Sequence, residues 1–161
     1  MEYNPPMGTP LENAVRAGAL EIMRALVAAG ADVNHQGYLG SILTRAVDTK
    51  KPEVVEELVR LGADVNLQPK FGVPALLVAV QVKESPMVEV LLRLGADPNA
   101  KGCASVGGFG EPVVTIEGGC RITHVPNPEF VKELTPLILA PREGLADIVA
   151  KLIAARAELG A

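Results

Sequence analysis

The chain has 161 residues, of which 48% are hydrophobic and only 3% aromatic, and its formal net charge is −4. This composition supports one domain with an aliphatic core. The excess of acidic residues argues against a broad phosphate-binding surface, which needs clustered Lys and Arg, so we expect no nucleic-acid partner. The longest apolar stretch, 71–82, is too short to span a bilayer. The first ten residues lack a secretory signal. We therefore expect no membrane partner and a cytoplasmic location.

The first predicted unit, residues 8–34, contains two short helices. Thr9 is predicted to be the N-cap of the first helix, with Pro10 at N1, where the missing N–H costs nothing. An apolar stripe with helical spacing follows at Leu11, Ala14 and Val15. A second stripe lies between residues 20 and 27, and Gly30 is placed to end that helix in the left-handed conformation.

This unit recurs along the chain. The segments AAGADVN, RLGADVN and RLGADPN end at Asn34, Asn66 and Asn99, which are 32 and 33 residues apart. A fixed period of this length predicts stacked repeats that together form a single domain. We place the four repeats at residues 8–34, 40–66, 72–99 and 134–161.

Proline and hydroxyl residues mark the helix starts of the later units. Ser41 is the predicted cap of the second unit, and Pro52 begins its second helix. In the third unit we expect Ser85 to cap the second helix. In the fourth, Thr135 precedes a proline as Thr9 does.

The openings TPLENAVRAG and TPLILAPREG resemble the T-P-L-H-x-A opening of the ankyrin repeat, and GADVN resembles its close. The resemblance implies an all-α solenoid of helix pairs with β-hairpin fingers. It also implies a protein-binding scaffold that is not an enzyme and holds no cofactor. The His of the T-P-L-H-x-A opening is absent from all four units, so the hydrogen bonds that it makes in the family are absent too. The residues at its position are Glu12, Thr44, Leu77 and Ile138. The closing glycine of the last unit is Arg156, so we expect the final helix to continue to about Glu158.

An insertion separates the third and fourth units. Ala79 and Ala140 hold equivalent positions but are 61 residues apart, and subtracting one period of 33 leaves 28 extra residues. Their place, approximately residues 101–130, is that of the finger between these units, so we expect an enlarged finger. Repeat proteins often place such insertions on the binding face.

Two elements are predicted inside the insertion. Gly118-Gly119 suits the two-residue turn of a β-hairpin, which would place Ile116 opposite Arg121. The same register would place Thr115 opposite Ile122. One or two helical turns are expected after Asn127, which precedes a proline.

The Cys and His residues of the chain are Cys103, Cys120, His124 and His35. The spacing C-x₁₆-C-x₃-H matches no standard zinc motif, and His35 lies two units away, so we favour no metal site. A Cys103–Cys120 disulfide is possible but unusual in a reducing compartment. Nothing in the spacing favours a Cys–His catalytic pair.

The glycines at 107, 108 and 110 lack the strand, helix start and Lys-Ser/Thr of a phosphate loop, which favours a flexible loop. A small-molecule or metal site formed by the insertion, which would make the chain a possible enzyme, stays the alternative function.

None of the five aromatic residues lies in a predicted repeat helix. Tyr38 and Phe71 hold the same finger position in successive units, and Phe109 lies in the enlarged finger. Aromatic anchors dominate interface energetics, so we predict that these residues contact a partner. The other possibility is that they fold back over the first helices. Two finger cations, Lys70 and Arg121, belong to the same predicted surface.

The family layout adds one exposed position from each first helix. These positions are Arg16, Asp48, Gln81 and Arg142. Because they are mixed in charge, the partner need not be strongly charged. The leading hypothesis is a non-catalytic protein–protein interaction module whose partner, a protein, contacts the finger and concave face and the inserted loop.

The C-terminal end carries an apolar stripe as complete as those of the internal units. It consists of Leu145, Ile148, Val149, Leu152 and Ile153. Few charges cover the outer face, so we expect a monomer or a weak homodimer formed through the C-terminal repeat.

Overall fold

The computed structural model describes the backbone of residues 8–37, 40–68, 73–103, 114–116, 119–121, 133–142 and 144–156. The helices of these residues are α1 (Pro10–Ala17), α2 (Leu20–Ala28), α3 (Ile42–Asp48), α4 (Pro52–Arg60), α5 (Ala75–Gln81), α6 (Ser85–Arg93), α7 (Pro136–Arg142) and α8 (Ala146–Ala154). The strands are β1 (Gln36–Gly37), β2 (Gly40–Ser41), β3 (Gly102–Cys103), β4 (Val114–Ile116), β5 (Gly119–Arg121) and β6 (Glu133–Leu134).

The helices are antiparallel pairs stacked in two layers. The first helices α1, α3, α5 and α7 contact one another in that order, and α2, α4, α6 and α8 form the second layer in the same way. Each first helix also contacts the second helix of its own pair. The alanines common to the first helices are at most 5% exposed, which permits this close packing, and they are Ala14, Ala46, Ala79 and Ala140. The predicted all-α solenoid is confirmed.

Side chains cap α1 and α3 as predicted. Thr9 and Glu12 form a reciprocal capping box at α1: Thr9 Oγ1 accepts from Glu12 N at 3.2 Å, and Glu12 Oε2 accepts from Thr9 N at 2.8 Å. Ser41 caps α3 by accepting from Thr44 N at 3.2 Å. The predicted cap at Ser85 is wrong, because α6 already begins at this residue. Its hydroxyl instead lies 3.0 Å from Lys151 Nζ in the next helix pair.

The turn between the two helices of each pair requires a left-handed residue. Gly18 and Gly144 fill this position in the first and last pairs with φ of 72° and 71°. Lys50 and Lys83 fill it in the middle pairs with φ of 57° and 60°. A side chain with a Cβ pays about 1–2 kcal/mol for this conformation, so the two lysines are local departures from the optimal sequence.

The second helices are ended by a second set of left-handed residues. Gly30, Gly62 and Gly95 have φ of 93°, 102° and 92°, and Arg156 has φ of 64° at the equivalent position. The expected extension of the last helix to Glu158 is therefore wrong, since α8 ends at Ala154. Like the other second helices, α8 has nine residues, and its stacking on α6 fixes where the chain must turn.

Asparagines join successive pairs through the backbone. Asn34 donates from Nδ2 to Gly62 O at 3.3 Å and accepts at Oδ1 from Asp64 N at 2.8 Å. Asn66 repeats this pattern one unit later, with Gly95 O at 3.0 Å and Asp97 N at 2.7 Å. The regular recurrence of the GADxN segments thus places an asparagine where it can form hydrogen bonds to the next repeat.

Ion pairs between second helices also join successive helix pairs. Arg24 donates to both oxygens of Glu57, from Nε to Oε1 at 2.7 Å and from Nη2 to Oε2 at 3.1 Å. Glu57 is only 3% exposed, and these hydrogen bonds lower its pKa although desolvation opposes them. Glu56 pairs with Arg93 across the next interface. Lys151 Nζ lies 2.8 Å from Glu89 Oε2 across the last one.

Short antiparallel strands form the fingers. β1 pairs with β2 between the first two helix pairs. β3 pairs with β6, and these two strands immediately precede and follow residues 104–132 in the sequence. This base lies close to the third pair, because a Cβ added at Gly102 would come within 2.6 Å of Leu77 Cδ1 and 2.9 Å of Pro74 Cδ. The insertion therefore begins from a position fixed by packing.

The hairpin inside the insertion has a different register from the one predicted. β4 and β5 pair Val114 with Arg121, Thr115 with Cys120 and Ile116 with Gly119. The two connecting residues are thus 117–118, because Gly119 takes a strand position. Glu117–Gly118 also offers a glycine to a two-residue turn, so sequence alone did not distinguish the two registers. The helix predicted after Asn127 lies outside the described residues.

Candidate surface groove on the first helices

An open groove of about 200 Å³ lies between α1 and α3. It brings together Arg16 from α1 and Asp48 from α3, two of the residues predicted from the sequence. The other lining residues were not predicted, and they are Glu12, Arg45, Thr49 and Lys51. The groove is thus lined by residues of two stacked repeats and exists only because α1 and α3 are neighbours.

The local helix structure explains which side chains reach the groove. Glu12 and Arg16 are four residues apart on α1, and Arg45 and Asp48 are three apart on α3, so each pair shares one face. Lys51 comes from the turn after α3 and donates from Nζ to Ala17 O at 3.4 Å. This contact places a positive charge at the C-terminus of α1, where the helix dipole favours it.

The two carboxylates of the groove differ in their interactions with the rest of the protein. Glu12 is held by the capping box at Thr9. Desolvation raises the pKa of Asp48, and the charge of Arg45 opposes this shift. Asp48 forms no ion pair with any other residue that the structure describes.

The arginines of the second helices form ion pairs, whereas those of the groove form none with the described residues. Those of the second helices, Arg24, Arg60 and Arg93, each pair with a glutamate. The guanidinium groups of Arg16 and Arg45 form no hydrogen bond or ion pair with any part of the chain that the structure describes. Both can therefore donate to a ligand without breaking a hydrogen bond or ion pair with these residues.

The groove extends along α1 from Glu12 to Arg16, but it meets α3 only in its C-terminal part, away from the finger strand. α3 begins directly after the finger strand β2 and ends at Asp48. Seven residues at 1.5 Å each separate these ends by about 10 Å along the helix axis. A partner that contacted both the finger and the groove would have to extend along this length.

The other predicted contact residues have varied places. Gln81 is half-buried at the end of α5, and Arg142 is the last residue of α7. Arg121 lies in β5. The remaining four lie outside the described residues, and they are Tyr38, Lys70, Phe71 and Phe109.

The repeat pattern, the stacked helix pairs and the fingers together indicate a known family. Residues 11–102 match a family model described as ankyrin repeats in three copies, which covers more than half of the chain. The chain belongs to the ankyrin repeat family. No curated protein matches it. Ankyrin repeats generally mediate protein–protein interaction, and the family is typically non-enzymatic.

Other chemistries receive no support from the described part of this ankyrin-repeat chain. No group of three or more His, Cys, Asp or Glu residues is arranged to hold a metal ion there. Within the same residues, each helix is too short or too polar to cross a membrane. The cysteine, histidine and glycine alternatives raised by the insertion fall mostly outside the described residues and stay predictions.

The sequence contained a signal for Arg45, one of the groove residues that were not predicted. Arg45 precedes Asp48 by three residues, so the helix that places one side chain in the groove places the other beside it. Lys51 could not be found in this way, because it reaches α1 across the interface between repeats.

Proposed function

We propose that this ankyrin-repeat protein is a non-catalytic interaction module whose protein partner lies along the first helices and fingers. The observation that carries the proposal is the groove shared by α1 and α3, where the guanidinium groups of Arg16 and Arg45 form no hydrogen bond or ion pair with the residues that the structure describes. Tyr38 and Phe71 in the fingers are proposed to supply aromatic anchors. The second-helix face is the less suitable surface, because its described charges are largely used in ion pairs between repeats.

We further propose that α7 and α8 constitute a fourth ankyrin repeat and that the insertion contributes to binding. Three features support this division of the chain. α7 stacks on α5, and α8 stacks on α6, as in the earlier repeats. Thr135 Oγ1 accepts from Ile138 N at 3.3 Å, as the equivalent Thr9 does in α1. The paired strands β3 and β6 join the insertion to this architecture at its base.

The C-terminal face is proposed to mediate weak self-association. Ile138 and Ile153 are 47% and 49% exposed, and Val149 is only half-buried. Internal repeats bury the residue equivalent to Val149, since Val55 and Val88 are fully buried. The exposed end thus has apolar area that another surface can cover.

An affinity capture with variants tests the interaction proposal. The bait proteins are the wild type, Tyr38→Ala, Phe71→Ala and a variant in which residues 104–125 are replaced by a short Gly/Ser linker. We expect the purified partner to bind each alanine variant more weakly by about 2 kcal/mol or more, whereas protein stability changes by less than about 1 kcal/mol. The linker variant should keep cooperative unfolding, since the repeats bury their own core and loop closure costs little.

Arg60→Ala is the matched control, because Arg60 is 71% exposed on the second-helix face. It should retain the partner. Large stability losses with unchanged binding would show that Tyr38 and Phe71 are packing residues. Loss of cooperative unfolding in the linker variant would show that the insertion belongs to the core.

A further inference from the structure

The groove between α1 and α3 has an uneven charge content that indicates the chemistry of its ligand. Three cations and two carboxylates line it. One carboxylate, that of Glu12, accepts from Thr9 N in the capping box. One cation, Lys51, is directed to the carbonyl of Ala17. Two guanidinium groups and the carboxylate of Asp48 thus have capacity for a ligand.

Arg16 and Arg45 differ from the arginines of the second helices in ion pairing, and the negative net charge of the chain makes this difference significant. The chain has 19 acidic and 15 basic residues, so a cation on its surface has many potential partners. The arginines of α2, α4 and α6 have such partners. Among the described residues neither Arg16 nor Arg45 forms a hydrogen bond or ion pair, and Arg45 has only an electrostatic interaction with Asp48. Arg45 is also half-buried, which strengthens its interaction with an anion relative to a fully hydrated side chain.

We propose that this groove binds an acidic segment of the partner protein, with a carboxylate of that segment received by Arg16 and Arg45. Planar guanidinium groups match carboxylates in geometry and form charge-assisted hydrogen bonds with them. The carboxylate of Asp48 repels an acidic ligand, which lowers the affinity and limits the negative charge that the groove can bind. This inference rests on the proposed interaction function and specifies its ligand.

Selection of peptides on the intact chain tests the proposal. The probe is a phage-displayed library of random 12-residue peptides, and enriched peptides are then synthesised for fluorescence anisotropy. We expect enrichment of peptides with net negative charge. Their affinity should fall at least about tenfold for the double variant R16Q/R45Q. It should also fall with added salt, because the groove is open to solvent.

Asp48→Asn gives a prediction of opposite sign. Removal of the like charge should increase the affinity for acidic peptides about threefold. If the groove bound a basic segment, the same change would weaken binding. The double variant R60Q/R93Q is the control, since it changes the net charge equally on the second-helix face. Because neither Arg16 nor Arg45 forms a hydrogen bond or ion pair with the described residues, the groove variant should keep the wild-type circular dichroism spectrum and lose only the electrostatic interaction of Arg45 with Asp48.

The outcomes separate this inference from the function on which it rests. Enriched peptides that are neutral or basic, or that bind R16Q/R45Q as tightly as the wild type, overturn the acidic-ligand proposal and leave the interaction function standing. Enrichment of no peptide at all would count against both. Acidic peptides that bind R60Q/R93Q as weakly as R16Q/R45Q would show a general charge effect and overturn the assignment to the groove.

Discussion

Replacement of Lys50 tests whether the turn between repeat helices stores conformational strain. Lys50 has φ of 57° at a position where the first and last repeats have glycine. A residue with a Cβ pays about 1–2 kcal/mol there. Glycine avoids this cost but loses about 0.5–1 kcal/mol more conformational entropy on folding. The difference predicts that a glycine is more favourable than alanine at this position by about 0.5–1 kcal/mol.

The comparison of Lys50→Gly with Lys50→Ala isolates this effect. Both variants lose the ion pair between Lys50 Nζ and Glu84 Oε1, which are 2.8 Å apart. The two side chains are 60% and 28% exposed, so the pair contributes at most about 1 kcal/mol and cancels in the comparison. Urea denaturation followed by circular dichroism gives the free energies of unfolding. In thermal scans we expect Lys50→Gly to melt about 2–3 °C above Lys50→Ala.

Ala25 provides the control for the intrinsic preference for alanine. It is exposed within α2, where the backbone is right-handed, so Ala25→Gly should destabilise the protein by about 1 kcal/mol. The Ala-to-Gly exchange must therefore have opposite signs at positions 25 and 50. If Lys50→Gly is no more stable than Lys50→Ala, the left-handed backbone carries no measurable cost and the reasoning is refuted.

Three further changes test the contacts between repeats and at the ends. Asn66→Ala should lower the free energy of unfolding by about 1 kcal/mol in urea titrations, because it removes both hydrogen bonds to the third repeat; an unchanged midpoint would contradict this. The pKa of Glu57 is lowered in the folded state, so its ionised carboxylate stabilises the fold above the ordinary glutamate value of 4.5, and this contribution is lost as the pH falls through the folded pKa. Glu57→Gln should therefore lose less stability than the wild type between pH 6 and 3. Equal acid sensitivity of the two proteins would refute the assignment. Sedimentation should show weak dimers that Ile153→Glu abolishes and Ile22→Glu at the other end leaves intact, whereas a strictly monomeric wild type would contradict the association.

The sequence determined the architecture because its signals are local and repeated. Thr9, Ser41 and Pro52 mark helix starts by hydrogen bonding and proline geometry, which act over a few residues. The recurrence of Asn34 and Asn66 predicted stacking. The same local logic failed at Ser85, whose hydroxyl contacts Lys151 of the next helix pair instead of capping its own helix.

Only the tertiary structure decided which distant residues meet and where the last helix ends. Arg24 binds Glu57, 33 residues further along the chain, because α2 and α4 are neighbours in one layer. Lys51 reaches α1 for the corresponding reason in the other layer. Arg156 adopts a glycine-like backbone, since stacking on α6 outweighs the preference of an L-residue for the right-handed region. The groove of Arg16 and Arg45 likewise depends on two helices that the sequence separates and the packing brings together.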